Sequence, residues 1–218
     1  MSVTVEHVIG PVGIPSGEVF GNPKILQDLV DTVLDDVLSV LDDLAESDTP
    51  ARRRTLVRTV FAAVEAVTAT LKTDCLARDL SHYSVEELAM LREDSYEIGP
   101  DGKAERRHKT IPPRENFRFA IRMYAKHAVA GSAAFALDVG GSGWPALRDS
   151  LKVRNRLTHL KRPDDLAVTD AELETLQQAV VWLLREVSRV LAHVGDLLEA
   201  VESRLSSRIE QLREDLQR

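Results

Sequence analysis

The side chains in this sequence best suited to chemistry lie in Leu151-Lys152-Val153-Arg154-Asn155-Arg156-Leu157-Thr158-His159. Histidine takes or gives a proton near neutral pH. Arginine offers a forked donor to a phosphate and stabilises charge that builds on its oxygens. Arg154 and His159 therefore suit phosphodiester cleavage: His159 as base or acid, Arg154 on the scissile phosphate, Asn155 and Thr158 orienting or binding. The spacing alone does not single them out, because Arg122 and His127 share it. Their setting does. Arg122 is followed by apolar Met123 in mid-helix, whereas Arg154 is followed by polar Asn155 near a helix end. Five residues of ideal helix turn through about 500° and leave two side chains roughly 140° apart. The pair converges only where the helix ends between them, and Pro163 just downstream favours such an end.

Other chemistries lack their signals. The chain has no P-loop, dinucleotide-type glycine fingerprint, His-Glu-x-x-His zinc helix or Gly-x-Ser-x-Gly elbow. Gly140-Gly141-Ser142-Gly143 is not followed by the lysine of a phosphate cradle and reads as a flexible hinge between helices. Asp28, Asp31, Asp35, Asp36, Asp42 and Asp43 invite a metal reading, but their heptad spacing sets them opposite an apolar stripe, as a solvated face, with no histidine among them. No metal and no cofactor are expected.

The elements that must position Arg154 and His159 are helical. Residues 1–22 are rich in glycine and proline and read as an extended arm, with a short strand near Val3 to Val5. Asn22-Pro23 opens a first helix to about residue 46, with Leu26, Val30, Val33, Val37, Leu41 and Leu44 on one face. A second helix follows Thr49-Pro50 to about Leu80, with Leu56, Val60, Phe61, Val64, Val67 and Leu71 inward. Ser84 with Glu87 has capping-box spacing for a short third helix. Residues 93–113 are polar, contain Gly99-Pro100-Asp101-Gly102, and read as a loop. Helices are expected over about 114–138 and 144–159, and Thr169 with Glu172 caps a last one. Its apolar residues, from Leu173 to Leu216, step by threes and fours as a heptad seam. Unbroken, that helix would be roughly 65 Å long. Either it breaks near Gly195-Asp196, or its distal part pairs with another chain, the reading favoured here. The expected fold is all-α: an up-and-down antiparallel helical bundle over 23–195 with no significant sheet, and a coiled-coil-like extension at 196–218.

The 218 residues carry a net charge of −7, 44% hydrophobic and 5% aromatic residues, and one cysteine. That is ordinary globular composition. The lone Cys75 excludes a disulfide framework and points to a reducing cytoplasm. No apolar run reaches membrane-span length and the N-terminus lacks a signal-peptide layout, so no membrane partner is expected. An acidic chain would ordinarily avoid nucleic acid, but the charge is uneven. Residues 101–130 and 145–162 are each about +5, with about −17 elsewhere. Those stretches hold Arg106, Arg107, Lys109, Arg114, Arg118, Arg122, Lys152, Arg156 and Lys161, the candidate RNA-binding side chains; ordinary surface charge is the alternative.

Arg154-Asn155-Arg156-Leu157-Thr158-His159 resembles the motif of the HEPN superfamily (higher eukaryotes and prokaryotes nucleotide-binding domain): Arg, a polar residue, three to five residues, then His. The segment from Lys161 to Leu173 also resembles the downstream region of bacterial HEPN-like proteins, and the arginine-rich second helix with Phe61 and Glu65 fits as well. The resemblance implies an antiparallel bundle that dimerises so that two motifs face each other. It implies metal-independent endoribonuclease activity leaving a cyclic phosphate, in a toxin, stress or defence setting, with RNA and an antitoxin or other protein as partners. Cleavage through the RNA 2′-hydroxyl needs both a base and an acid, which a homodimer supplies as two copies of His159. Some members keep the fold without activity. The alternative is therefore a non-catalytic dimeric adaptor that binds a protein through the tail and basic loop. Glu65 reads as a solvated edge carboxylate, or else as a partner of Arg154.

Overall fold

The computed structural model describes residues 23–128 and 134–195, together with 203, 206, 207, 209–212 and 214. The arm at 1–22, its expected strand and most of the extension lie outside the described residues. The described chain is mainly helical, with one small two-stranded sheet. Its helices are α1 (Pro23–Glu46), α2 (Pro50–Ala77), α3 (Val85–Leu91), α4 (Pro113–Tyr124), α5 (Gly143–Thr158) and α6 (Asp170–Val194).

Helix starts follow local chemistry. Thr49 accepts from the Arg52 amide at 3.3 Å, and Pro50 occupies a first-turn position where no amide is needed. At Ser84 and Glu87, and again at Thr169 and Glu172, side chain and backbone bond each other reciprocally. On α1, Val30, Leu34, Val37 and Leu38 are buried, while Asp28, Asp35, Asp36, Asp42 and Asp43 are exposed, as a solvated face requires. The six inward residues expected on α2 are all buried. The core lies where α1 and α2 pair, α2 meets α4, and α5 lies along α6.

Two of the expected elements need correction. First, the expected loop at 93–113 contains an antiparallel hairpin of β1 (Asp94–Ile98) and β2 (Ala104–His108), with Asp94 opposite His108 and Ile98 opposite Ala104. Its turn is closed by the Gly99 amide on the Lys103 carbonyl at 2.8 Å, with Gly102 at φ 78°. Most of its side chains are exposed, so the hairpin shows no alternation of apolar residues.

Second, α4 stops at Tyr124 and passes into a 3-10 turn, Ala125–His127, instead of running to 138. Lys126 is drawn onto Glu87 at 2.6 Å, and His127 onto the Tyr83 hydroxyl. Of the alternatives for the last helix, the break near Gly195 is present: α6 ends at Val194 on Gly195, whose φ of 82° is a left-handed cap. Beyond it, Leu212 joins the core cluster and Ile209 packs against it.

The glycine run before α5 is held rather than hinged. Asp138 Oδ1 accepts the amides of Gly140 and Gly141, each at 3.2 Å. The Asp138 amide donates to fully buried Glu186 at 3.1 Å, and Trp182 Nε1 donates to the Asp138 carbonyl at 2.8 Å. Gly143 packs directly on Trp182, where a Cβ would overlap the indole. These contacts fix the start of the helix that carries Arg154.

Candidate active site

The last turns of α5 divide the motif between structural and accessible roles. Arg156 faces inward: its guanidinium donates to Glu172 Oε1 at 2.8 Å and Oε2 at 3.0 Å, and to the carbonyls of Asp165 and Ala167. It clamps the end of α5 to the connection that starts α6, which makes it a structural residue rather than a free RNA-binding one. Thr158 spends its hydroxyl on the Arg154 carbonyl at 2.9 Å. His159 is the exposed C-cap of α5, and its amide closes on the Asn155 carbonyl at 2.9 Å.

Arg154 reaches across to α2, where its guanidinium donates to Glu65 Oε1 at 2.8 Å, and a second nitrogen lies 3.3 Å from Asn155 Oδ1. Glu65 is half exposed, yet it is paired. Helical bonding runs unbroken from Arg154 through Thr158, and an ideal helix would set residues five apart roughly 140° from each other. No hydrogen bond or ion pair among the described residues joins the Arg154 and His159 side chains.

Arg154 of α5 lines a cleft of about 430 Å³ whose other walls are α2, Glu93, the 110–111 connection and the start of α4. Val64, Ile111 and Pro113 supply apolar wall, and Glu65, Glu93 and Asn116 supply polar groups. Behind it, buried Lys72 donates to Glu93 Oε1 at 2.7 Å and to Asn116 Oδ1 at 3.1 Å, and Asn116 Nδ2 returns a bond to Glu93 Oε1 at 3.0 Å. His108 Nε2 stands 3.7 Å from Glu93 Oε2. Burial alone would raise the Glu93 carboxyl, but Lys72 and Asn116 outweigh it and hold the group below its ordinary value. Glu93 is the only described non-glycine residue at positive φ, 55°. A side chain held in so sparsely populated a conformation needs its surroundings to fix it, and the Lys72–Asn116 pair does so. Nothing in the spacing of Lys72, Glu93 and Asn116 along the chain announces this cluster; the paired Gly-Pro and Pro-Pro breaks around 93–113 mark only the turns that assemble it.

The basic residues separate into two groups. Arg106 pairs with Asp94 at 2.6 Å, Arg107 with Glu105, Arg114 with Glu115, and Lys152 with Asp149 at 2.7 Å. Lys109, Arg118, Arg122 and Lys161 are exposed and make no side-chain hydrogen bond or ion pair among the described residues. Arg118 and Arg122 border a groove of about 410 Å³ that Phe119 and Phe135 also line. Cys75 is buried, and that burial pushes its thiol up to about 11, which suits packing rather than nucleophilic work. No group of three or more metal-ligating side chains occurs among the described residues, and no described helix is long and apolar enough to cross a membrane.

No family model, curated protein or solved structure matches the chain.

Proposed function

We propose that this protein is a HEPN-type endoribonuclease that cleaves RNA without a metal at a site shared by two copies of the chain. One observation carries the reading: the motif arginine lies at the wall of an open cleft, partly exposed and oriented by Glu65, while His159 stands exposed one turn further on. Arg154 is then ready to hold a phosphate. In this reading His159 serves across a two-fold axis, at the Arg154 of the other copy. The reading includes the finer fold, an up-and-down antiparallel bundle whose extension beyond Gly195 contributes to pairing, and a cytoplasmic role in toxin-antitoxin, stress or anti-phage defence.

In the reaction, one His159 takes the proton of the 2′-hydroxyl, and that oxygen attacks phosphorus. The bond from phosphorus to the 5′-oxygen breaks, the partner subunit's His159 protonates the leaving oxygen, and a 2′,3′-cyclic phosphate remains. Arg154 neutralises the extra charge on the phosphate oxygens. Purified protein incubated with total RNA, with and without chelator, should cleave in both cases. His159→Ala should abolish cleavage while leaving the helical circular-dichroism signal intact; undiminished cleavage by that variant refutes the assignment.

A second reading, a non-catalytic adaptor that binds a protein partner, is favoured by the carboxylates already seated on Arg106, Arg107, Arg114 and Arg154. It predicts no cleavage by the wild-type chain.

A further inference from the structure

We infer that the cleft beside Arg154 is a base-binding subsite selective for guanine, in which Glu93 reads the base that flanks the scissile phosphate. The inference rests on the ribonuclease reading for its substrate and on the geometry of the cleft for its selectivity.

The cleft has the size and lining of a small-ligand site: a few hundred Å³, apolar walls, and a few fixed polar groups. Val64 and Ile111 are buried side chains whose faces open on it, and Pro113 adds a rigid wall. A flat base can lie against such walls without an aromatic partner, because burial of its faces is itself favourable. Selectivity depends on which polar atoms remain unspent.

Lys72 uses Glu93 Oε1 and Asn116 Oδ1, and Asn116 Nδ2 uses Glu93 Oε1 again. Glu93 Oε1 is therefore saturated, whereas Oε2 has only His108 nearby, at 3.7 Å. Glu65 gives Oε1 to Arg154. Thr68 donates its hydroxyl to the Val64 carbonyl. Apart from the Thr110 hydroxyl and the remaining donors of Arg154, the unspent capacity of the cleft is acceptor capacity on two carboxylates.

A ligand that suits it presents adjacent donors. Of the four RNA bases, only guanine carries two side by side, N1–H and the N2 amino group. Adenine, cytosine and uracil each offer one donor group next to acceptors, and an acceptor facing a carboxylate is repelled. The Lys72–Asn116 pair fixes the Glu93 carboxylate in place before any ligand arrives, which lowers the cost of binding. Arg154, on the same cleft, meets the phosphate attached to that nucleotide.

The test is calorimetric titration of the full-length protein with GMP, AMP, CMP, UMP and IMP, which lacks the N2 amino group. GMP should bind at least about tenfold more tightly than the other three standard nucleotides, with IMP in between. Glu93→Gln should cost GMP about tenfold and leave AMP unchanged. Because Glu93 also supports Lys72, a second variant guards against a folding defect: Ala69→Leu, on the exposed side of α2, fills the cleft without touching that pair. It should remove GMP binding while the melting curve stays in place. Equal binding of all four nucleotides, or GMP binding that survives both variants, overturns the subsite. Cleavage of RNA without guanine-selective binding overturns the subsite alone. Selective GMP binding by a protein that never cleaves RNA overturns the nuclease alone.

Discussion

Glu93 occupies a left-handed backbone position that glycine would fill at no steric cost, and it is held there by what its carboxylate does. Lys72, with a side chain only 5% exposed, needs that carboxylate, because a buried ammonium without a partner is costly. The carboxyl is held below its usual 4.5, so on acidification the unfolded chain takes up the proton first. The stability contributed by this group is present above that value and is lost as pH falls through the folded pKa. Glu93→Gln should cost about 1–2 kcal/mol near neutrality, and the gap from wild type should shrink below about pH 4. Urea midpoints across that range measure it, and a gap that grows on acidification contradicts the assignment. A second residue-scale test concerns Gly143, where an added methyl group falls on Trp182. Gly143→Ala should destabilise by about 1–3 kcal/mol in urea unfolding, through overpacking. Neither residue could be picked out beforehand: Gly143 read as part of a hinge and Glu93 as loop. Both roles depend on partners distant in the chain, Trp182 in one case and Lys72 with Asn116 in the other.

At the level of helices and strands, what could be read in advance was whatever local chemistry decides. Pro50 after Thr49, Ser84 with Glu87 and Thr169 with Glu172 start helices by bonding their own first turns, and they do so where expected. The apolar stripes of α1 and α2 are legible for a similar reason, since a helix shows its buried face in its periodicity. Elements shaped by distant contacts were not legible. The hairpin has almost no buried face to pattern, and α4 is cut short where Lys126 and His127 turn to Glu87 and Tyr83. Arg154 and Glu65 are 89 residues apart, and the periodicity of α2 marks Glu65 only as an edge carboxylate, without its partner. Arg156 shows the same limit in a residue counted toward RNA binding. Its four bonds tie the end of α5 to the connection and to the start of α6, and the two on Glu172 are the largest cause holding that carboxyl below its ordinary range. Arg156→Ala should lower stability by about 1–2 kcal/mol, discounted for partial exposure. Its effect on RNA affinity should be smaller than that of Arg118→Ala, measured by filter binding. The reverse order would return Arg156 to the interface.

For the molecule as a whole, the sum of charges and the proposed chemistry bear on one question, whether the chain acts in pairs. Two basic stretches of about +5 sit in a chain of −7, and much of that excess is spent on neighbouring carboxylates. The cations left over, among them Lys109, Arg118, Arg122 and Lys161, make a thin electrostatic footprint for a polyanion. Two copies sharing one RNA would double it. On the proposed reading, the same pairing would supply the second histidine that base-and-acid cleavage needs. Mixing the wild type with His159→Ala separates the possibilities. If each active site draws on both copies of His159, only pairs with two intact chains cleave, and activity follows the square of the wild-type fraction. An equal mixture, unfolded and refolded together so that chains exchange, should then retain about one quarter of the activity of the same total amount of wild type. If each chain cleaves on its own, the mixture retains about half, and the shared site is wrong even though the nuclease is right. Light scattering on the same mixture supplies the mass. A monomer that follows the linear course would leave His159 to act alone and would force a different acid for the leaving oxygen, for which His108, beside Glu93, is the residue to replace first.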